Sequence, residues 1–341
     1  MSQQIRSSRG PLFQRKVDRS RVSGLVLVLL LIFSCLPALV SAQDTGLFPG
    51  LSALSESDVQ RSSIAFVNMT TSPGLEGVTL RIDQDNRQSE QWRSSLGFNA
   101  EFTLKEPVFN GYWGLAVVGG GLDDTVELIA DNGNTVTIDL ERDVVALRGS
   151  LGLSFPVDQR LKIRPVLSLV VADLQTQGSI NGLFSIGPGI PTTFRFNTSA
   201  QFVSTVAGLN ALYARWYGNY KLELEGVYNV VYTDAFSEDN PVLDTEAWDR
   251  TVQLKSKFSG ATGWLTSGRP WRWNVYANYV NFLSTDKSSL GYTQLVEFGT
   301  GLDWHLNIKP LDWFGWRSVG IRAGVTIGSD VEGYTIGLAA Q

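Results

Sequence analysis

Apolar and polar residues alternate over long runs of this chain. In residues 95–105 every second side chain is apolar, from Leu96 to Leu104, and those between are polar or small. A period of two residues is that of a β-strand, whose successive side chains point to opposite faces. The same pattern recurs in residues 145–155, 220–232 and 296–304.

These runs are longer than the strands of soluble proteins. Each covers about nine residues or more, whereas soluble strands average about five or six and a tilted strand needs about 9 to 11 to cross a bilayer. Tyr220, Tyr232 and Trp304 stand at the ends of apolar faces, as in the aromatic girdles of membrane barrels. A soluble β-sandwich explains the alternation but not the length. The pattern therefore predicts an all-β fold, a transmembrane antiparallel β-barrel.

About twelve strands are predicted. Their spans are 77–86, 91–105, 111–130, 135–155, 161–174, 195–214, 220–233, 248–260, 270–284, 290–306, 317–328 and 333–341. An even number places both ends of the barrel in the periplasm, where turns are short. The outward connections then lie near Asp85, 132–133, 178–191, 234–246, Asp286 and Asp330. Since residues 132–133 are Asn-Gly, a hairpin that projects beyond the membrane is expected there.

Three regions fit the alternation poorly. Pro165 lies inside an alternating run, and because proline lacks an amide hydrogen we expect a β-bulge there. Residues 200–216 fit either a strand or a helix. Residues 57–67 fit a short helix or an extra strand.

The N-terminus has the three parts of an export signal. Six basic residues precede an apolar stretch from Gly24 to about Leu39, and the small-x-small sequence Val40-Ser41-Ala42 follows. We expect cleavage after Ala42. The alternative is an uncleaved anchor, because the stretch approaches the roughly 20 residues of a spanning helix. The predicted domains are a signal peptide, 1–42; an N-terminal segment with the lumen as its candidate location, 43–76; and an outer-membrane β-barrel, 77–341.

Composition excludes several classes of function. Without residues 1–42 the chain has 22 Lys+Arg and 32 Asp+Glu, a net charge of −10, so nucleic acid is not an expected partner. The only cysteine, Cys35, lies in the predicted signal. This excludes disulfides, thiolate metal sites and cysteine nucleophiles from the rest of the chain. No cofactor is predicted.

The only histidine, His305, follows Asp303 at a spacing of two. Together with Asp83 and Asp85, this pair is similar to the acidic and Asp-x-His pairs of omptin-type outer-membrane proteases. The strand order, however, places the two pairs about a barrel height apart. Outer-membrane phospholipases have a serine two residues after the histidine, where this chain has Asn307. No catalytic or metal site is predicted, and a hydrolase is the least favoured alternative.

The positions that face the lumen carry more cations than anions. The predicted cations are Lys105, Arg148, Lys162, Arg164, Lys221, Lys255, Lys257, Arg272 and Arg322, and the anions are Glu101, Glu223, Glu225, Glu297 and Asp303. Charges inside a barrel must be solvated or paired. One interpretation is a network of ion pairs that fills the lumen, in which Arg148, Lys162, Arg164 and Lys257 pair with the four glutamates. The other is an anion-favouring pore.

The chain resembles the solitary autotransporter-type outer-membrane barrels over about residues 60–341. The likeness rests on the signal peptide, a short N-terminal stretch, twelve strands and a final run, residues 333–338, that looks like a closing strand. Autotransporters carry a large passenger before the barrel, but here about 34 residues, 43–76, precede the first strand. A further departure is the ending Ala339-Ala340-Gln341, where barrels usually end on an aromatic residue.

The resemblance implies a non-enzymatic barrel without a passenger in the outer membrane of a Gram-negative bacterium. The expected role is structural or translocation-like, and the alternative is a small-solute channel that favours anions. Expected partners are outer-membrane lipid, lipopolysaccharide and the barrel-assembly machinery.

Overall fold

The computed structural model describes residues 56–72, 77–84, 86–104, 109–129, 133, 135–185, 191–238, 246–284, 290–306, 308 and 317–340. The predicted signal peptide lies outside these residues. Within them, twelve strands form one closed antiparallel barrel in which β1 pairs with β12. The all-β barrel predicted from the alternation is confirmed.

One helix, α1 (Glu56–Thr71), precedes the strands. The strands are β1 (Val78–Gln84), β2 (Arg87–Thr103), β3 (Asn110–Ile129), β4 (Thr135–Pro156), β5 (Leu161–Ser185), β6 (Pro191–Tyr217), β7 (Tyr220–Glu238), β8 (Glu246–Thr266), β9 (Arg269–Phe282), β10 (Gln294–His305), β11 (Ser318–Gly328) and β12 (Val331–Ala340). None of the helical residues described is part of a helix long and apolar enough to span a membrane.

The outer face of the barrel is an apolar belt. Large apolar side chains are exposed on β2 to β12, and Ile336 and Leu338 on β12 reach 74% and 86% exposure. Other members are Leu96, Leu115, Leu147, Leu169, Leu254, Val275 and Ile321. A continuous apolar surface of this extent is unfavourable in water and is what a barrel wall presents to lipid. The barrel therefore crosses a membrane.

The wall is taller on one side than on the other. Strands β3 to β7 have 19 to 27 residues, whereas β9 to β12 have 10 to 14. Since about 9 to 11 residues cross a bilayer, the long strands project beyond it. The pairing of β3 with β4 continues to Ile129 and Thr135, so the predicted projecting hairpin is confirmed by this register.

Three ambiguous regions are resolved. The bulge expected at Pro165 is wrong: Gly152 pairs with Val166 and Phe155 with Ile163 in one constant register, and the pairs between them are missing. Without an amide hydrogen at Pro165 the ladder skips a bond but needs no extra residue. Residues 200–216 belong to strand β6, and the extra strand considered for residues 57–67 is wrong because they are helical.

Two of the turns at the lower end, the end where β12 finishes, are tight. Ser267 and Gly268 connect β8 to β9 with positive φ angles of 53° and 72°, the conformation of a two-residue hairpin turn. Between β4 and β5, Asp158 Oδ1 accepts hydrogen bonds from the amides of Arg160 (2.6 Å) and Leu161 (2.8 Å). These bonds favour the ionised carboxylate and lower the pKa of Asp158.

We predict that the purified protein migrates faster on a detergent gel before heating than after boiling. A sheet closed by β1 and β12 unfolds as one unit and stays compact in detergent until it is heated. Gel mobility with and without boiling, together with circular dichroism, measures this. Equal mobility and a helix-dominated spectrum would contradict the barrel.

Candidate functional site

The lumen contains α1. Phe66, Val67 and Met69 on this helix are completely buried. Hydrogen bonds reach α1 from β2 and β4 and, on the other side of the barrel, from β7: Gln91 contacts Met69 Sδ, Arg142 contacts Ser62, and Thr233 Oγ1 donates to Asn68 Oδ1 at 2.6 Å. The helix therefore lies across the interior, surrounded by the wall.

Two arginines of the wall bind the C-terminal end of α1. Arg93 on β2 donates from Nε to the carbonyl of Thr70 (2.5 Å) and from Nη2 to that of Ser72. Arg148 on β4 donates to the carbonyl of Thr71 at 2.9 Å. The last carbonyls of a helix have no partner within it and carry partial negative charge. The two guanidinium groups therefore stabilise α1 where it ends.

The N-terminal half of α1 has a poorer polar contact with the wall. Arg142 on β4 is 2% exposed and donates from Nη2 to Ser62 Oγ at 3.0 Å. Among the described residues, its Nε and Nη1 have no acceptor. Asp124, the carboxylate that acts on it electrostatically, is bound by Arg87 through two bonds of 2.8 and 2.7 Å. Buried donors without acceptors cost free energy, so this contact is less favourable than the one at the C-terminus.

The connection before β10 folds into the upper lumen. Tyr292 is fully buried and its hydroxyl donates to Gln91 Oε1 at 2.8 Å. Its ring meets that of Phe282 edge-on at 6.1 Å. Gln84 on β1 donates to the carbonyl of Gly291 at 3.0 Å. Residues 290–293 thus fill space above the first two strands.

A charge cluster lies in the lower lumen around Glu101. Lys162 and Arg164 on β5 both form ion pairs with its carboxylate, Lys162 at 2.9 Å. Ser154 Oγ also donates to it, at 3.2 Å. Arg164 lies 4.3 Å from the ring centre of Tyr112. The structure therefore joins three of the predicted lumen charges.

Six more of the predicted charges form three ion pairs. The pairs are Lys221–Glu223 (2.5 Å), Lys255–Glu225 (3.5 Å) and Lys257–Asp303 (2.8 Å). A glutamate was expected as the partner of Lys257; its ion pair is with Asp303, and Glu223 stands directly opposite it in the register of β7 and β8. Asn274 Nδ2 donates to the carboxylate of Asp303 at 3.0 Å.

The remaining predicted charges have other surroundings. Arg148, for which a glutamate was the expected partner, binds α1 as described above. Glu297 accepts hydrogen bonds from Tyr276 (2.9 Å) and Asn278 (3.0 Å). Arg272 donates to the carbonyls of Asn219 and Ser259, and Arg322 lies over the ring of Tyr276. Lys105 lies outside the described residues.

The described residues of the hydrolase alternative are not brought together. Asp303 faces the lumen and is bound by Lys257 and Asn274, whereas Asp83 is exposed on the outward-facing side of β1. His305 ends β10. Asp85 and Asn307 lie outside the described residues. Within the described part of the chain, no three His, Cys, Asp or Glu side chains are grouped so as to bind a metal ion.

The sequence interpretation missed the three arginines of the upper lumen, Arg87, Arg93 and Arg142. A signal for them existed. Arg87 and Arg93 share the parity of Glu101 on β2, and Arg142 shares that of Arg148 on β4. Counting every second residue from the predicted lumen charges toward the upper end of each strand identifies all three arginines as lumen-facing.

Known proteins resemble this chain only in fold. No protein-family model matches the sequence, and no curated protein matches it. The β-domain of the Bordetella autotransporter BrkA is 13% identical with a TM-score of 0.49 over 77% of this chain and 96% of that one. The translocator domain of NalP from Neisseria meningitidis is 12% identical with a TM-score of 0.40 over 84% and 95%. The transport unit of AIDA-I from Escherichia coli has the same identity and TM-score over 84% and 99%.

The chain's own geometry assigns its location. In the described residues it combines an even number of strands, an outer apolar belt and inward-facing charged side chains, which are the features of single-chain barrels in bacterial outer membranes. The protein is an outer-membrane β-barrel of a Gram-negative cell, as expected.

We predict that Glu101→Gln lowers the free energy of unfolding by about 1–3 kcal/mol, because it leaves Lys162 and Arg164 without their carboxylate partner in the lumen. Glu90→Gln is the matched control, since Glu90 is exposed on the outer side of the same strand and should change stability by less than about 0.5 kcal/mol. Urea midpoints of the two variants measure the difference. Equal midpoints would show that the Glu101 cluster contributes no stability.

Proposed function

We propose that this protein is a translocator-like outer-membrane barrel whose lumen is closed at rest by α1, and that it is not an enzyme. The single observation that carries the proposal is the binding of the last carbonyls of α1 by Arg93 and Arg148. Charge-assisted hydrogen bonds of this kind are roughly twice as strong as neutral ones. They favour a defined resting position of the helix over a freely moving chain.

Two further features support a closed resting state. Tyr292 and Leu290 occupy the upper lumen beside β1 and β2. In the lower lumen, the ion pairs around Glu101 and Asp303 neutralise charges that would otherwise attract permeating ions. α1 also packs Phe66, Val67 and Met69 into the buried apolar core of the lumen, so passage of a polypeptide or another large solute requires these contacts and the polar bonds to be broken together.

A second candidate function is a small-solute channel that favours anions. Lys162, whose side chain is 43% exposed, is the observation that favours it. An exposed cation near a constriction raises the local concentration of anions. The two functions differ in the resting conductance, because a channel is open without any displacement of α1.

We predict that the wild-type protein shows little conductance in planar bilayers and that Arg93→Met/Arg148→Met opens large, long-lived current steps. Removing both guanidinium groups leaves the terminal carbonyls of α1 without donors, so the helix leaves its position more often. Arg81→Met is the matched control, since Arg81 is exposed on the outer face of β1 and should leave the current unchanged.

A large current in the wild type that the double variant does not increase would contradict the closed resting state. Reversal potentials in a salt gradient would then decide whether the open lumen prefers anions.

A further inference from the structure

Three polar side chains with buried, unpartnered atoms lie side by side on the lumen face of the upper wall. Arg142 on β4 stands directly opposite Thr176 on β5, which in turn stands opposite Thr198 on β6. Among the described residues, Arg142 Nε and Nη1 and both threonine Oγ1 atoms have no hydrogen-bond partner. These three residues are called the polar row below. Buried polar groups without partners are rare in native proteins, so three neighbouring ones need a physical explanation.

The buried charges of β2 to β5 are unbalanced. On the described parts of these strands, Arg87, Arg93 and Arg142 are buried together with one buried carboxylate, that of Asp124. Both oxygens of Asp124 are bound by Arg87. The acceptor that Arg142 does have is the neutral hydroxyl of Ser62. A buried charge without an ionic partner costs far more free energy than a buried hydroxyl without a partner.

This charge decides which kind of molecule suits the polar row. A water molecule can bond to the guanidinium and hydroxyl groups, but it leaves the charge of Arg142 uncompensated. An oxyanion accepts hydrogen bonds from the guanidinium group and from both hydroxyls, and it also supplies the opposite charge. Charge-assisted hydrogen bonds of this kind are roughly twice as strong as neutral ones. The row therefore favours an anion over water.

The spacing of the strands suits a small oxyanion centred over Thr176. Neighbouring strands lie about 4.7–4.9 Å apart, so Arg142 and Thr198 flank Thr176 at one strand spacing on either side. The next inward position on β5 toward the upper end is Gly178, which has no side chain to cover Thr176. A phosphate group has four oxygens to share among donors from three strands, whereas a carboxylate has two.

The polar row lies beside α1 and borders on solvent. The helix packs against β4 and β5, and Arg142 Nη2 joins the row to Ser62 at 3.0 Å. Ser62 at one end of the row and Thr198 at the other are only partly buried. A small anion therefore has access to the row while α1 stays in place.

We propose that Arg142, Thr176 and Thr198 form a binding site for a small oxyanion of the phosphate class. Arg142 keeps its bond to Ser62 through Nη2 and donates to the anion through Nε and Nη1, while the threonine hydroxyls donate from β5 and β6. The bound anion stabilises the contact between β4 and the N-terminal half of α1. The site needs no cargo, so it stands or falls separately from the proposed translocation role.

Inorganic phosphate is the probe for this site, acetate is the planar carboxylate for comparison, and sodium chloride at equal ionic strength is the reference. The whole folded protein in detergent micelles is titrated calorimetrically, in a buffer without other oxyanions. Its urea midpoint is measured at each phosphate concentration, because a ligand that binds only the folded state raises the midpoint as its concentration exceeds the dissociation constant. We expect saturable binding of phosphate and weaker binding of acetate.

Two variants separate binding from stability. Arg142→Met should raise the dissociation constant of phosphate by about tenfold or more, while its urea midpoint without phosphate should be unchanged or higher, because a buried charge without an ionic partner is removed. Thr176→Val/Thr198→Val should weaken phosphate binding without lowering that midpoint, since the hydroxyls have no partner to lose. Thr205→Val is the matched control, because Thr205 is exposed on the outer face of β6, and should not change binding.

The proposal fails if phosphate does not bind saturably above the chloride reference, because water then suffices in the polar row. It also fails if phosphate binds equally to the wild type and to Arg142→Met, or if acetate binds more tightly than phosphate. Heat-dependent gel mobility shows that each variant is folded. If Arg142→Met does not fold, the threonine variant, which keeps every charge, still tests the site.

Discussion

Every backbone amide and carbonyl inside the membrane must be hydrogen-bonded within the protein, and the rest of this structure depends on that constraint. Pairing of β1 with β12 removes the free edges of the upper wall, and the apolar belt places the wall in lipid. Alternate residues of each strand point inward, where they form an apolar core around α1 and charged clusters in the lower lumen. The same requirement applies to α1, whose last carbonyls are bound by Arg93 and Arg148. The same requirement for hydrogen-bonded backbone groups is thus met in the wall by strand pairing and at the end of the helix by arginine side chains.

The alternation predicted the fold where a strand separates lipid from the lumen. β3 was expected at 111–130 and is Asn110–Ile129. Strand β5, expected to end at 174, continues to Ser185, because above the membrane neither face meets lipid and the apolar signal disappears. The first residues of β2, from Arg87 to Glu90, are all polar for the same reason. Helix α1 remained ambiguous because its apolar residues 64–67 are consecutive, so they show neither the helical nor the strand spacing.

The candidate site was predictable in composition but not in pairing. Inward parity identified Glu101, Lys162 and Arg164, which the structure joins. It could not assign Lys257 to Asp303, because that contact depends on the relative register of three strands. Nor could it show that Arg148 binds α1, since the location of the helix was only a candidate. Which face of a strand a side chain occupies can be inferred from the neighbouring sequence. Which side chains meet across the lumen depends on the registers of all the strands in the closed sheet.

The central claim is that α1 is a stable part of the closed lumen, and hydrogen exchange tests it most directly. The amide hydrogens of residues 64–71 are measured by mass spectrometry in the folded protein in lipid nanodiscs. Because these residues are buried and end in carbonyls bound by the wall, their exchange should be slow, comparable with that of β4. Exchange within seconds, as in an exposed segment, would contradict the account.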